Sequence, residues 1–283
     1  MEKLDISLIT QSIKDVPALP HVVTRVMELS QDPNANAQDV SRVLEQDQSM
    51  TARVLRLANS AFYGFPRRIS SVTDATIYLG FKTLQSILMA ASVSSLMNRE
   101  MSGYVMEAGG LWRHSQTVAF ASRLLAKKAK FPYVDLAYTA GLLHDIGKIV
   151  LDNYLKEEYA AVVKRVEAED KTFVEVEQEI LGIDHTEVGA KVAERWNLPA
   201  ELCEAIYCHH APEKAEINKP LACIVHLADI ITLTIGIGIG IGGLMNYFSA
   251  EAMQVLNLES EDLENIISQL SDFLADDQSF DAI

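Results

Sequence analysis

The sequence predicts an all-α protein, a multi-helical bundle in two lobes. Two observations carry this. Nearly every readable segment places its apolar residues at helical spacing, i, i+3, i+4. No series of alternating strands occurs, and no repeat with a period of 20–50 residues. With 49% hydrophobic and 22% charged residues, the chain has the balance of a globular protein with a substantial core.

The elements follow in order. In "DVPALPHVVTRVMELSQDP" the apolar residues Val22, Val23, Val26, Met27 and Leu29 fall on one helical face. Pro20 suits the first turn of that helix and Pro33 a stop. "NAQDVSRVLEQDQSMTARVLRLANS" carries Val40, Val43 and Leu44, a polar break at Asp47–Ser49, then Met50, Val54, Leu57 and Ala58. "SVTDATIYLGFKTLQSILMAASVSSLM" is a further helical stretch with Gly80 as a cap or joint. "NREMSGYVMEAGG" (98–110) is polar and Gly-containing, and it separates two helical blocks. The expected division is therefore an N-terminal lobe over 1–105 and a second lobe over 106–283. The second block ends near Leu258. A last helix, "ESEDLENIISQLSDFL", follows with Ile266, Ile267, Leu270 and Leu274 on one face, and the tail "ADDQSFDAI" is expected to fray.

Charge narrows the function classes. The formal net charge is −15, and after Lys219 there is no Lys or Arg while ten acids occur between Asp229 and Asp281. So acidic a chain repels nucleic acid and anionic membranes. "PRR" at Pro66–Arg68 is one short basic patch, a poor basis for a DNA-binding regulator. "IITLTIGIGIGIGGLM" (Ile230–Met245) is uncharged, but it has sixteen residues and five glycines. A spanning helix needs roughly 20 apolar residues, so a buried helix end running into a Gly-rich loop is the better reading. Cys203, Cys208 and Cys223 are odd in number and form no CxxC pair. This fits a reducing compartment. The start "MEKLDISLIT" lacks a secretion signal's basic start and apolar core, and a cytoplasmic location is expected.

The histidines carry the chemistry. "LLHDIGKIV" sets His144, Asp145 and Lys148 in an apolar run. His114 lies on the buried face of "LWRHSQTVAFASRLL". His185 opens "DHTEVGAKVAERW", where Asp184 and Glu187 have the spacing of a capping box. His209 and His210 end "PAELCEAIYCHH", and His226 and Asp229 lie one turn apart in "LACIVHLADII". Any one buried histidine is ordinarily a core residue bonded to a carbonyl. The set is different: His114, His144, Asp145, His185, His209, His210 and Asp229 end, or face inward from, separate helices. All offer nitrogen or oxygen donors of the kind that Mn, Fe, Co or Zn accepts, and a bundle can aim them at one interior site. An adjacent His-Asp pair suits two metals, with Asp145 as the bridge. His226 reads as a supporting or packing residue, and Cys208 as core filler.

The series resembles the metal-dependent HD phosphohydrolase superfamily, and "LLHDIGK" with "HTEVGA" is most similar to its HD-GYP branch, whose members hydrolyse cyclic-di-GMP. The first half decides otherwise. "PALPHVVTRVMELSQDPNANAQDVSRVLEQDQSMTARVLRLANSAFYG" and "ISSVTDATIYLGFKTLQSI" closely resemble the HDOD domain, the HD-related output domain of bacterial signalling proteins. The likeness covers about residues 15–250 and departs at Gln48, where the family commonly has proline. HDOD proteins are usually regulatory modules, many without the metal ligands; this chain keeps the full series. It lacks a Gly-Tyr-Pro element after His210, and Gly110 stands where trinuclear HD-GYP members have a glutamate. The resemblance thus implies two divalent transition ions, iron or manganese first, with zinc or cobalt as alternatives.

Two functions follow as expectations. One is a signalling output module with a retained di-metal site and a protein partner. The other is an active phosphohydrolase or phosphodiesterase on a phosphate-containing small molecule, with Asp145 and Lys148 as its catalytic residues. In the resembled enzymes the lysine of "HDIGK" approaches the substrate phosphate; a salt-bridged or snorkelling lysine is the alternative. The metals are expected to divide as His114, His185 and His210 around one ion, and His144, His209 and Asp229 around the other.

Overall fold

The structure, a computed structural model, describes residues 6–60, 68–156, 171–238 and 249–276. It is all-α. Among the described residues the only β-pairing is an isolated bridge between Met101 and Met106. The packing falls into two compact units, one of residues 1–18 and 96–270, the other of 19–95 and 271–283.

The chain's first helix, α1 (Ile6–Asp15), belongs to the larger unit. The smaller unit begins with α2 (His21–Leu29), entered through Pro20 at φ −53°. Asn36 and Asp39 close a reciprocal capping box on α3 (Ala37–Leu44). The Asp47 carboxylate accepts from the Met50 N–H and caps α4 (Gln48–Ala58), which is why the polar break falls there. The Asn59 amide donates to the Ile69 carbonyl (2.8 Å) and accepts from the Ile69 N–H (2.7 Å). It so ties the end of α4 to the approach of α5 (Val72–Met97). That long helix is broken at Gly80, where φ is 78° and only glycine is unstrained. Val23, Val26, Val40, Leu44, Val54 and Ile87 form the buried interior.

The larger unit holds the functional residues. Arg195 donates to the carbonyls of Ile13 (2.6 Å) and Val16 (2.9 Å), and the Trp196 indole to that of Pro17 (3.0 Å). These bonds anchor α1 (Ile6–Asp15). The long α6 (Gly110–Lys128) packs along α7 (Val134–Leu143) and α11 (Lys219–Thr234). Between them come α8 (Phe173–Leu181), α9 (His185–Arg195) and α10 (Ala200–Cys208). The chain then adds α12 (Ala250–Leu256) and α13 (Ser260–Asp276). The turn after α7 crosses the start of α9 so closely that a Cβ on Gly147 would run into the His185 carbonyl and the Gly189 N–H. Glycine at 147 is what lets His144 and Asp145 approach His185.

Residues 98–110, expected as a joint, contribute buried side chains, Met101 and Tyr104. Asp184 caps α9 by accepting from Thr186 N–H and Glu187 N–H. The expected box with Glu187 is replaced by a Glu187–Lys191 ion pair at 3.1 Å. At the end of α11, Gly236 has φ 81°, so the helix does run into a glycine-rich turn. The rest of that run, 239–248, and the tail from 277 lie outside the described residues. Among the described residues no helix is long and apolar enough to cross a membrane. All three cysteines are free and buried.

Candidate metal centre

The seven predicted side chains converge. His114, His144, Asp145, His185, His209 and Asp229 are buried, and His210 is partly so. Their donor atoms form three overlapping groups, each within 4.8 Å: His114, His144 and Asp229; His185, His209 and His210; and His144, Asp145 and His209. His114 sits with His144 and Asp229, where the expected division had it with His185 and His210. His209 sits with His185 and His210 and, in the third group, with its expected companion His144. The two groups without Asp145 make two triads, and Asp145 lies between them. Its Oδ2 is 3.4 Å from His144 Nε2 and 3.5 Å from His114 Nε2, and its Oδ1 is 3.4 Å from His185 Nε2 and 3.9 Å from His209 Nε2. Asp229 Oδ1 is 3.2 Å from His114 Nε2 and 3.7 Å from His144 Nε2.

Helix ends explain how the rings are aimed. The last carbonyls of a helix have no intrahelical partner. His144 and His209 each stand just past a helix end and donate Nδ1–H back to such a carbonyl, Gly141 and Ile206, both at 2.7 Å. His114 Nδ1 donates to the Ile237 carbonyl (3.1 Å), and His185 Nδ1 to the Glu177 carboxylate (2.7 Å). A carbonyl or carboxylate can only accept, so Nδ1 carries the proton in all four rings. In each neutral ring, Nε2 is then a bare lone pair pointing inward.

These lone pairs face one another. His114 Nε2 and His144 Nε2 are 3.3 Å apart, and His185 Nε2 and His210 Nε2 3.1 Å. Among the described residues, His209 Nε2 and Asp145 Oδ1 are buried with no hydrogen-bond partner at all. Leaving such atoms unpaired costs about 1–3 kcal/mol each. A cation placed among them satisfies lone pairs and carboxylates together, so the donor set fits a metal.

Protonation differs around the cluster. Burial disfavours the charged form of His144, but the adjacent Asp145 carboxylate outweighs it and raises the pKa. Burial lowers His209 well below the ordinary value, reinforced by the His210 ring. His210 is lowered to about 3 by burial and then by His185. Burial opposes ionisation of Asp145 and Asp229, yet both pKa values are lowered. His144 and Lys148 hold Asp145 down, and His114 and His144 do so for Asp229.

Of the two readings of Lys148, the ion pair is present: its buried ammonium is 2.6 Å from Asp145 Oδ2 and 5.7 Å from the centre of the Tyr104 ring. His226 stands behind the cluster, donating Nδ1–H to the His209 carbonyl (2.8 Å) and accepting from the Ser249 N–H (3.2 Å). Two residues escaped the sequence reading, Glu177 and Tyr104. The signal for Glu177 was its place in the stripe Val176, Glu177, Ile180, Leu181, every member of which is buried.

An all-helical scaffold that gathers histidines and aspartates from helix ends into one buried cluster is an HD-type architecture. The HDOD domain model matches residues 16–212, and the chain belongs to that family. It is similar to an HDOD domain protein of unknown function from Geobacter sulfurreducens, with 28% identity, 96% of each chain covered and a TM-score of 0.76. A Shewanella amazonensis protein titled "Putative phosphohydrolase" shares 25% identity over 93% of each chain, with a TM-score of 0.71. An uncharacterized protein of Treponema pallidum is 27% identical over 225 residues, 78% of this chain. The chain spans less than half of that relative's length, 43%.

Proposed function

We propose that this chain is a regulatory HDOD output module whose interior holds two divalent transition ions, iron or manganese before zinc or cobalt. The observation that carries the metal reading is the pair of orphaned atoms, His209 Nε2 and Asp145 Oδ1, among converging imidazole lone pairs. His114, His144 and Asp229 would hold one ion and His185, His209 and His210 the other, with Asp145 shared between them. The regulatory role rests on the HDOD family, and the partner is a signalling protein of a reducing cytoplasm rather than nucleic acid or membrane. Elemental analysis of protein purified without chelator tests the site. Two ions per chain are expected, and a metal-free protein would remove the reading.

Lys148 and the Shewanella relative's name favour a second reading, phosphoester hydrolysis. Two bound ions supply water activation and neutralisation of phosphate oxygens. The protein's own part would be to keep Asp145 ionised, through His144 and Lys148, and to present the Lys148 ammonium beside it. For that ammonium to meet a phosphate oxygen it must give up or share its bond to Asp145 Oδ2. Turnover of a chromogenic phosphodiester by manganese-loaded protein, absent in Asp145→Ala, is the expected result; a loaded protein without turnover leaves the regulatory reading alone.

A further inference from the structure

We infer that Glu177 is the positioning residue of the His185–His209–His210 triad, and that Tyr104 locks it in place, so that the 101–106 turn is coupled to loading of one ion and not of the other. The inference rests on the di-metal reading above. Glu177 is fully buried. Its Oε2 accepts from His185 Nδ1 at 2.7 Å and from the His185 backbone N–H at 2.8 Å, and its Oε1 accepts from the Tyr104 hydroxyl at 2.6 Å. Both carboxyl oxygens are thus engaged, Oε2 twice and Oε1 once.

None of the three donors is a fixed cation. A buried carboxylate without a compensating positive charge is costly. The cation that would compensate it lies on the far side of the His185 ring, at Nε2. Charge at Glu177 makes Nε2 a stronger donor, and the backbone bond sets the ring's orientation. His114, His144 and His209 have only neutral carbonyls behind them. The support is therefore one-sided: it reaches the second triad through His185 and does not touch the first.

Tyr104 completes the device. Its ring is buried, stacks on Phe173 at 5.7 Å and lies beneath the Lys148 ammonium. Burial, and then the Glu177 charge, raise its pKa well above the ordinary value, so the hydroxyl remains a donor. Tyr104 sits in the turn closed by the Met101–Met106 bridge, and Val105 beside it holds φ at 53°. Moving this turn would withdraw the hydroxyl from Glu177 and loosen His185.

The test is a manganese(II) titration of the metal-stripped full chain, followed by calorimetry, on wild type, Glu177→Gln, Glu177→Asp and Tyr104→Phe. Wild type should show two ions. Glu177→Gln should weaken one of them by about 10–100-fold and leave the other unchanged, with Glu177→Asp recovering part of the loss and Tyr104→Phe giving a smaller, same-sided loss. Equal weakening of both ions, or wild-type affinity for both in Glu177→Gln, would overturn the inference while sparing the site. A wild-type chain that takes up no manganese removes the site, and this inference with it. Should Glu177→Gln fail to fold, Tyr104→Phe, which deletes one hydroxyl, decides alone.

Discussion

The two triads of the cluster are built from similar parts and have opposite electrostatics. The first, His114, His144 and Asp229, contains a carboxylate, and its His144 has a raised pKa. The second, His185, His209 and His210, is all imidazole. Its His209 and His210 are lowered, and the Glu177 carboxylate stands behind the His185 ring. The first triad's His144 therefore takes a proton more readily than an ordinary histidine, and the second's His209 and His210 less readily. The difference teaches that one cluster of buried histidines can carry two sites of unequal character, set by where the carboxylates stand.

The largest effect is expected where the comparison collapses. Asp145 lies against both triads, so Asp145→Ala should lose both ions. At a free metal concentration 100 times Kd, each bound ion stabilises the fold by about 2.7 kcal/mol. The substitution also strands the Lys148 ammonium in the interior, where breaking a buried pair costs about 3–5 kcal/mol. Metal analysis and a thermal melt check this, and Asp145→Ala with Lys148→Met should recover the second loss but not the first. Full metal content in Asp145→Ala would sink the bridged arrangement.

A step down, the triads should separate. Asp229→Ala should release one ion and His210→Ala the other, each leaving about one ion per chain. If both variants lose the same ion, as judged by the spectrum of cobalt-substituted protein, the division into these triads is wrong.

The pH dependence of metal-free protein should sharpen the contrast further. His209 and His210 are depressed in the folded state, His210 to about 3, against an unfolded value of about 6.5. Between those values the unfolded chain binds protons that the folded chain refuses. Stability therefore falls as pH drops below about 6.5, by about 1.4 kcal/mol per pH unit for each proton. The lowered carboxylates Asp145 and Asp229 add to this only at lower pH, through their folded pKa values. His144 is raised, so its contribution is full below about 6.5 and is lost as pH rises through its folded pKa. Urea melts across pH should show His210→Ala flattening the limb below about 6.5 and His144→Ala the limb above it. Identical profiles for the two variants would erase the distinction.

Much of this was legible in the sequence, for a physical reason. Helical period and end signals are local, so Pro20, Asp47 and Gly80 could be placed without a fold. The seven donors stood out because histidine and aspartate are costly inside apolar runs. What the sequence could not reveal was which donor meets which. That pairing depends on how α6, α9, α10 and α11 cross, and the close approach at Gly147 sets part of it. The Tyr104–Glu177 bond was hidden for a similar reason: its partners are 73 positions apart. Tyr104 lay in a segment that reads as a joint between helical blocks.

The smallest effect is expected at a control position. Ser122 Oγ on α6 is as buried as the cluster and, among the described residues, likewise has no hydrogen-bond partner. If an unpaired buried polar atom were enough to mark a metal site, it should matter as His209 does. It differs in what it faces: a Cβ added at Gly141 would come within 2.5 Å of it. Ser122→Ala removes a hydroxyl whose unpaired burial costs about 1–3 kcal/mol and adds no volume. The variant should bind both ions with wild-type affinity and melt at the same temperature as wild type or a few degrees above it. A loss of either ion in Ser122→Ala would mean that the boundary of the site has been drawn too tightly around the two triads.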